Sequence, residues 1–115
     1  MITGIHHFTI IASSENSVRF YAKLGFEEYK RISRVYDTVV LMGGFNFGLE
    51  IYIDPSHPAK SVEPLGLRNI SLKVNNIEET LESLGINNSP IMKDWVGGRF
   101  VFIYDPDGLQ IQLHE

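Results

Sequence analysis

The chain of 115 residues contains no cysteine. That removes disulfides, thiolate metal ligands and a cysteine nucleophile from its chemistry. It also lacks a basic excess: ten Lys and Arg stand against fourteen Asp and Glu, for a formal net charge of −4 and a pI near 5.5. Nucleic-acid binding favours a basic face, so that partner class is set aside. No apolar run approaches the roughly 18 residues that span a bilayer, which argues against a membrane partner. The first residues lack the basic start and unbroken apolar stretch of a signal peptide, because His6-His7 interrupts them, and the expectation is a cytoplasmic protein. What is present is ordinary: 43% hydrophobic and 21% charged residues suit one compact domain, or two small modules sharing one core.

The sequence resembles itself. Laid so that Gly4 falls on Gly66, the segment Gly4-Ile5-His6-His7-Phe8-Thr9-Ile10 matches Gly66-Leu67-Arg68-Asn69-Ile70-Ser71-Leu72. At the same offset Phe47-Gly48-Leu49-Glu50-Ile51 matches Leu109-Gln110-Ile111-Gln112-Leu113. One supersecondary unit therefore occurs twice. The match fails where chemistry would sit, with His7 facing Asn69 and Glu50 facing Gln112.

Each half reads as strand, helix and three strands. Residues 4–12 are strand-like, and Ser13-Ser14 caps a helix through Val18, Phe20, Tyr21 and Leu24 that Gly25 ends. Strands follow at Glu27–Ser33, Tyr36–Met42 and Asn46–Ile53, with Gly43-Gly44 turning the last pair. The segment Asp54–Pro64 holds three prolines and reads as a linker. In the second half Leu67–Val74 is a strand, and Asn76 with Glu79 makes a capping-box pattern before a helix with Ile77, Leu81 and Leu84 on one stripe. Gly85 closes that helix. A short strand at Ser89–Met92, a loop through Trp95-Val96-Gly97-Gly98 and strands Arg99–Tyr104 and Leu109–His114 complete the half. Asp105-Pro106-Asp107-Gly108 carries turn residues at the required positions.

Strand side chains alternate between faces. His7, Thr9 and Ile11 oppose Phe8 and Ile10, while Glu50 and Tyr52 oppose Leu49, Ile51 and Ile53. In the second half Asn69, Ser71 and Lys73 oppose Ile70 and Leu72, and Gln110, Gln112 and His114 oppose Ile111 and Leu113. Each strand thus has an apolar face for its helix and a mostly polar one. The polar faces are either the solvated side of a sheet or the lining of a concavity with convergent polar groups.

The whole chain resembles the vicinal oxygen chelate superfamily, the glyoxalase/bleomycin-resistance/dioxygenase group. The resemblance rests on Gly4–Ile10, Phe20-Tyr21 before Leu24-Gly25-Phe26, Gly48–Tyr52, Leu65–Val74 and Tyr104–Glu115. It implies an α+β fold of two βαβββ modules, 1–54 and 66–115 joined by a linker at 55–65, in one domain with a funnel-shaped mixed sheet. It also implies a homodimer. Metal-binding members take ligands from the first and last strands of each module, which correspond here to His7, Glu50, Asn69 and Gln112. The family's usual residues at the last two are His and Glu, so this chain departs from the pattern twice.

Two functions stay open. In one, a divalent metal (Zn, Ni, Mn or Fe) held weakly by that set assists a lyase or isomerase of glyoxalase type, with Glu50 as catalytic base. In the other, a metal-free protein binds a small molecule or antibiotic, with His7, Glu50, Asn69 and Gln112 satisfying one another. Thr9, Tyr52, Ser71, Lys73, Tyr104, Gln110 and His114 would line either site. Gln112 takes up no proton at neutral pH, which argues against efficient lactoylglutathione lyase activity. Lys73 is the only basic residue expected on the polar faces, so a fosfomycin-type thiol transferase is disfavoured. His6 is expected to pack toward the helix, His57 to be an exposed linker residue and Trp95 to be a lid. Phe102 could stack on a ligand, and Arg68 and Arg99 are expected to face outward or bind loop backbone.

Overall fold

The protein is described from a computed structural model covering residues 1, 3–56, 69–94 and 97–115. Two compact units result, Met1–Ala59 and Lys60–Glu115. In the first, β1 (His7–Ala12), α1 (Asn16–Lys23), β2 (Glu27–Ser33), β3 (Thr38–Gly44) and β4 (Phe47–Ile53) follow in order. In the second, β5 (Ile70–Lys73), α2 (Ile77–Leu84), β6 (Met92–Lys93), β7 (Arg99–Tyr104) and β8 (Gln110–His114) repeat it. The sheets have equivalent orders, β1-β4-β3-β2 and β5-β8-β7-β6. In each, the first and last strands of the module pair in parallel and the rest antiparallel. The α+β class and the twofold βαβββ order follow.

Alternation explains the burial. On one face of the first sheet Ile10, Ala12, Val40, Met42, Leu49, Ile51 and Ile53 are buried, with Val18, Phe20 and Tyr21 of α1. A run of edge-to-face rings, Tyr21 to Phe26 to Phe47 to Phe8, joins helix to sheet at centroid distances of 6.4, 5.7 and 5.4 Å. In the second unit Ile70, Val101, Ile103, Ile111 and Leu113 lie buried with Ile77 of α2. Each such side chain contributes about 1.5–3 kcal/mol by leaving water.

The helix ends differ from one another. Asn76 Oδ1 accepts the Glu79 amide at 2.9 Å, and Gly85 ends α2 in the left-handed region at φ 61°. Glu115 Oε2 takes the Ile77 amide at 2.9 Å, satisfying a further open donor of the first turn. The expected Ser13-Ser14 cap is corrected. Glu15 precedes α1 in helical backbone without a side-chain cap, and Ser14 Oγ accepts the Asn16 amide at 3.2 Å.

The β3–β4 hairpin is also corrected. Gly43 and Gly44 belong to β3, and the turn is Phe45-Asn46, with φ 55° and 70°. Two residues of positive φ match the twist of flanking strands. Gly44 is small for a different reason: a Cβ there would sit 3.2 Å from the Phe26 ring and 3.3 Å from the Gly25 carbonyl oxygen. β3 begins at Thr38 because the Arg34 amide closes a turn onto the Asp37 carbonyl at 2.8 Å. The strand expected at Ser89–Met92 starts only at Met92, since Pro90 has no N–H to offer a ladder. β1 likewise begins at His7, not at residue 4. Linker residues 57–65, His57 and Arg68 lie in 57–68, and these and Trp95 and Val96 fall outside the described residues.

Candidate functional site

The face of the first sheet opposite its core is arranged in cross-strand rows. Cα partners in a ladder put their side chains on the same face. One row runs Thr9, Glu50, Leu41, Lys30, and the next runs Ile11, Tyr52, Val39, Ile32. The row containing His7 continues through Gly48 and Gly43; a Cβ on Gly48 would stand 3.4 Å from the His7 Cβ, and one on Gly43 3.8 Å from the Tyr29 ring. Bare backbone in a strand interior allows close approach of another group.

Four of the expected residues share this face, and three are joined. His7 Nε2 lies 3.2 Å from Glu50 Oε2, and the Tyr52 hydroxyl donates to Glu50 Oε1 at 3.1 Å. Each carboxylate oxygen therefore has its own partner. Hydrogen bonding to the Glu50 carboxylate, aided by desolvation, pushes the Tyr52 phenol up and keeps it a donor. Thr9 sits directly across from Glu50 in the β1–β4 register.

Two expectations fail here. His6 does not pack toward α1: it is exposed, and its Nδ1 lies 2.8 Å from Nδ1 of His7. It precedes the first ladder residue, so strand alternation does not fix its direction. Lys73 is also not the only basic residue on the polar faces. Lys30 stands in the Glu50 row, and the Arg34 guanidinium covers the Tyr52 ring at 5.1 Å and the Tyr36 ring at 4.9 Å. Arg34 lies in the turn after β2, where period-two reasoning gives no direction. The Arg34, Tyr36, Asp37 sequence was the available signal.

In the second unit Ser71 pairs with Gln112, Lys73 with His114, Phe102 with Gln112 and Tyr104 with Gln110. These residues share the face opposite Ile111 and Leu113. Asn69 comes just before β5 and is half-buried, and Tyr104 is exposed. His114 is more engaged than a rim position implies. Its Nε2 lies 3.0 Å from Asp94 Oδ2 and its Nδ1 2.7 Å from the Glu115 carbonyl oxygen, with Phe100 stacked at 6.1 Å. Both neighbours accept, so a neutral imidazole cannot donate to both. The Asp94 carboxylate, and then the Glu115 carbonyl, raise the His114 pKa above its ordinary value. Arg99 does not face outward alone: it pairs with Glu78 at 2.6 Å and Glu115 at 3.2 Å.

Ligand spacing tests the fit to a divalent ion. Two donors about 2.1 Å from one ion stand roughly 3.0–3.4 Å apart in octahedral to tetrahedral geometry. The 3.2 Å between His7 and Glu50 meets that requirement. Asn69 and Gln112, at the corresponding positions of the second unit, are neutral carboxamides, and among the described residues no group of three His, Cys, Asp or Glu is placed to hold a metal.

Residues 4–113 match the model of the Glyoxalase/Bleomycin resistance protein/Dioxygenase superfamily. The chain belongs to this family. It is 33% identical to YwkD of Bacillus subtilis (strain 168), over all of this chain and 98% of that one. A glyoxalase family protein from Enterococcus faecalis is similar at 36% identity and a TM-score of 0.87, with 97% of each chain covered. The fold alone is shared with two more distant proteins. Leishmania major glyoxalase I has 20% identity and a TM-score of 0.75, covering 99% of this chain and 87% of that one. The bleomycin resistance determinant of transposon Tn5 has 17% identity and a TM-score of 0.69, covering 98% of each. This glyoxalase-family protein thus shares its fold both with an enzyme and with a resistance determinant.

Proposed function

We propose that the protein binds a small oxygenated molecule on the polar face of its first module, with His7 and Glu50 as the anchoring pair. The observation that carries the reading is the joined set His7, Glu50 and Tyr52 on the polar face of the first sheet. The Glu50 carboxylate, which keeps lone pairs beyond those facing His7 and Tyr52, accepts from a ligand hydroxyl. Tyr52 and Thr9 border the same place, while Ser71, Lys73, Tyr104, Gln110, Gln112 and His114 line the polar face of the second module. The carboxamides Asn69 and Gln112 favour ligand binding without metal, because they replace an imidazole and a charge. In this reading the protein is a cytoplasmic homodimer that sequesters or senses its ligand, as a bleomycin-resistance-like protein does.

The donor spacing of His7 and Glu50 favours a second reading, a metal-assisted lyase or isomerase of glyoxalase type. His7 and Glu50 would hold a divalent ion, and Asn69 and Gln112 are the corresponding, weaker oxygen donors of the second module. A bound ion supplies Lewis-acid polarisation of a substrate oxygen. Glu50 is the proton acceptor available in that case, with Tyr52 holding its other oxygen.

Elemental analysis of untagged protein, beside the Asn69→His/Gln112→Glu double variant, decides between them. The expected result is far less than one equivalent of metal in the wild type and about one in the double variant. One equivalent in the wild type would overturn the metal-free reading, and a double variant that also stays metal-free would remove the inherited metal site itself. A thermal-shift screen of small oxygenated compounds, repeated on Glu50→Gln, tests the shared premise: ligands that stabilise the wild type should lose their effect.

A further inference from the structure

We propose that Arg34, set against the rings of Tyr36 and Tyr52, forms an anion subsite beside the His7–Glu50 pair, selecting ligands that carry a carboxylate on a flat apolar body. The inference rests on the ligand-binding reading above and narrows it to a chemical class.

Three observations converge. First, the guanidinium is pre-set. Asp37 takes Nε and Nη2 through two parallel bonds of 2.6 Å each, and the rings of Tyr36 and Tyr52 lie at 4.9 and 5.1 Å. An arginine fixed this way loses little freedom on binding a further acceptor. Second, Nη1 donates to no acceptor among the described residues. Its two N–H groups are free for a planar oxyanion. Third, Tyr52 connects the subsite to the anchoring pair, since the ring under Arg34 carries the hydroxyl that donates to Glu50.

The surroundings set the rest of the ligand. Ile11 and Ile32 share the Tyr52 row and are 52% and 41% exposed, and Tyr36 is 68% exposed. Exposed apolar side chains in the row that carries Tyr52, with a cationic donor over its ring, suit a molecule with an anionic end and a flat apolar body. An Arg–Asp pair that merely staples the turn would not need two rings within about 5 Å of the guanidinium. Asp37 offsets part of the charge, so the subsite discriminates by geometry as well as by attraction.

Benzoate and its neutral isostere benzamide are suitable probes, read by amide chemical-shift perturbation on the full chain. Benzoate should shift amides of residues 32–37 and Tyr52, and should bind roughly tenfold or more tighter than benzamide, as a charge-assisted bond implies. Arg34→Gln should abolish that preference, and Arg34→Lys should retain part of it. Equal binding of both probes, benzoate binding unchanged in Arg34→Gln, or no shifts near Arg34 would each overturn the subsite. His7→Ala and Glu50→Gln separate the two proposals. Screened ligands that lose binding in these variants but not in Arg34→Gln leave the pocket reading standing and remove the subsite. Benzoate that responds to Arg34→Gln alone supports the subsite even where the His7–Glu50 reading fails.

Discussion

Single residues set the tightest constraints, and two glycines do so for different reasons. A methyl at Gly44 meets the Phe26 ring and the Gly25 carbonyl, while one at Gly85 meets nothing within 4 Å. Phe26 is itself wedged by Tyr21, Phe45 and Phe47, so it has no room to yield. Gly44→Ala is therefore expected to cost about 1–3 kcal/mol through overpacking. Gly85→Ala should cost about 1 kcal/mol through its left-handed backbone alone. Urea denaturation of the two variants, with the helical signal followed for Gly85→Ala, checks both. Asp105 is a third such residue. It is buried, and its Oδ1 accepts the Asp107 and Leu109 amides at 2.9 and 2.8 Å. Asp105→Ala leaves both donors without that acceptor and should cost about 1–3 kcal/mol in the same experiment.

Elements are governed by their ends and ties. Asn76 caps α2 through its side chain, and its replacement by Ala should remove about 1 kcal/mol of stability, measured as a lower urea midpoint. The tie between β8 and the loop after β6 depends on pH. His114 is held above its ordinary pKa of 6.5 by Asp94 and the Glu115 carbonyl, with Lys73 opposing. A raised folded-state pKa means that the stabilisation is complete below pH 6.5 and disappears as pH climbs through the higher folded value. The urea midpoint should fall on the alkaline side of pH 6.5, and Asp94→Asn should flatten that fall. At the acid end Glu15 and Glu28 beside Arg31, Asp37 beside Arg34 and Glu78 beside Arg99 have lowered pKa values. Their contribution is present above the ordinary carboxylate range and lost as pH drops through the lowered values. Elements were largely legible in sequence where local rules act: β2 and β7 have the expected bounds, and Gly85 ends α2. The β3–β4 turn is not legible locally, because Gly44 is required by the ring of Phe26, between α1 and β2, which local turn preferences do not contain.

At the scale of the whole molecule, duplication is the organising fact. Both units carry the same strand order and the same parallel pairing of first and last strands. The proposed homodimer predicts a solution mass of about twice 13.1 kDa by light scattering. A mass of one chain would remove that proposal. The sequence alone determined the doubled βαβββ order, the two faces of each strand and the mismatches of His7 with Asn69 and Glu50 with Gln112. These follow from period-two alternation and chain order, which are local. Only the tertiary structure decided that His7, Glu50 and Tyr52 join in one network, that His6 turns to His7, and that Arg34 closes over Tyr52. Those pairings depend on register and on side chains leaving turns, and neither is encoded by spacing along the chain.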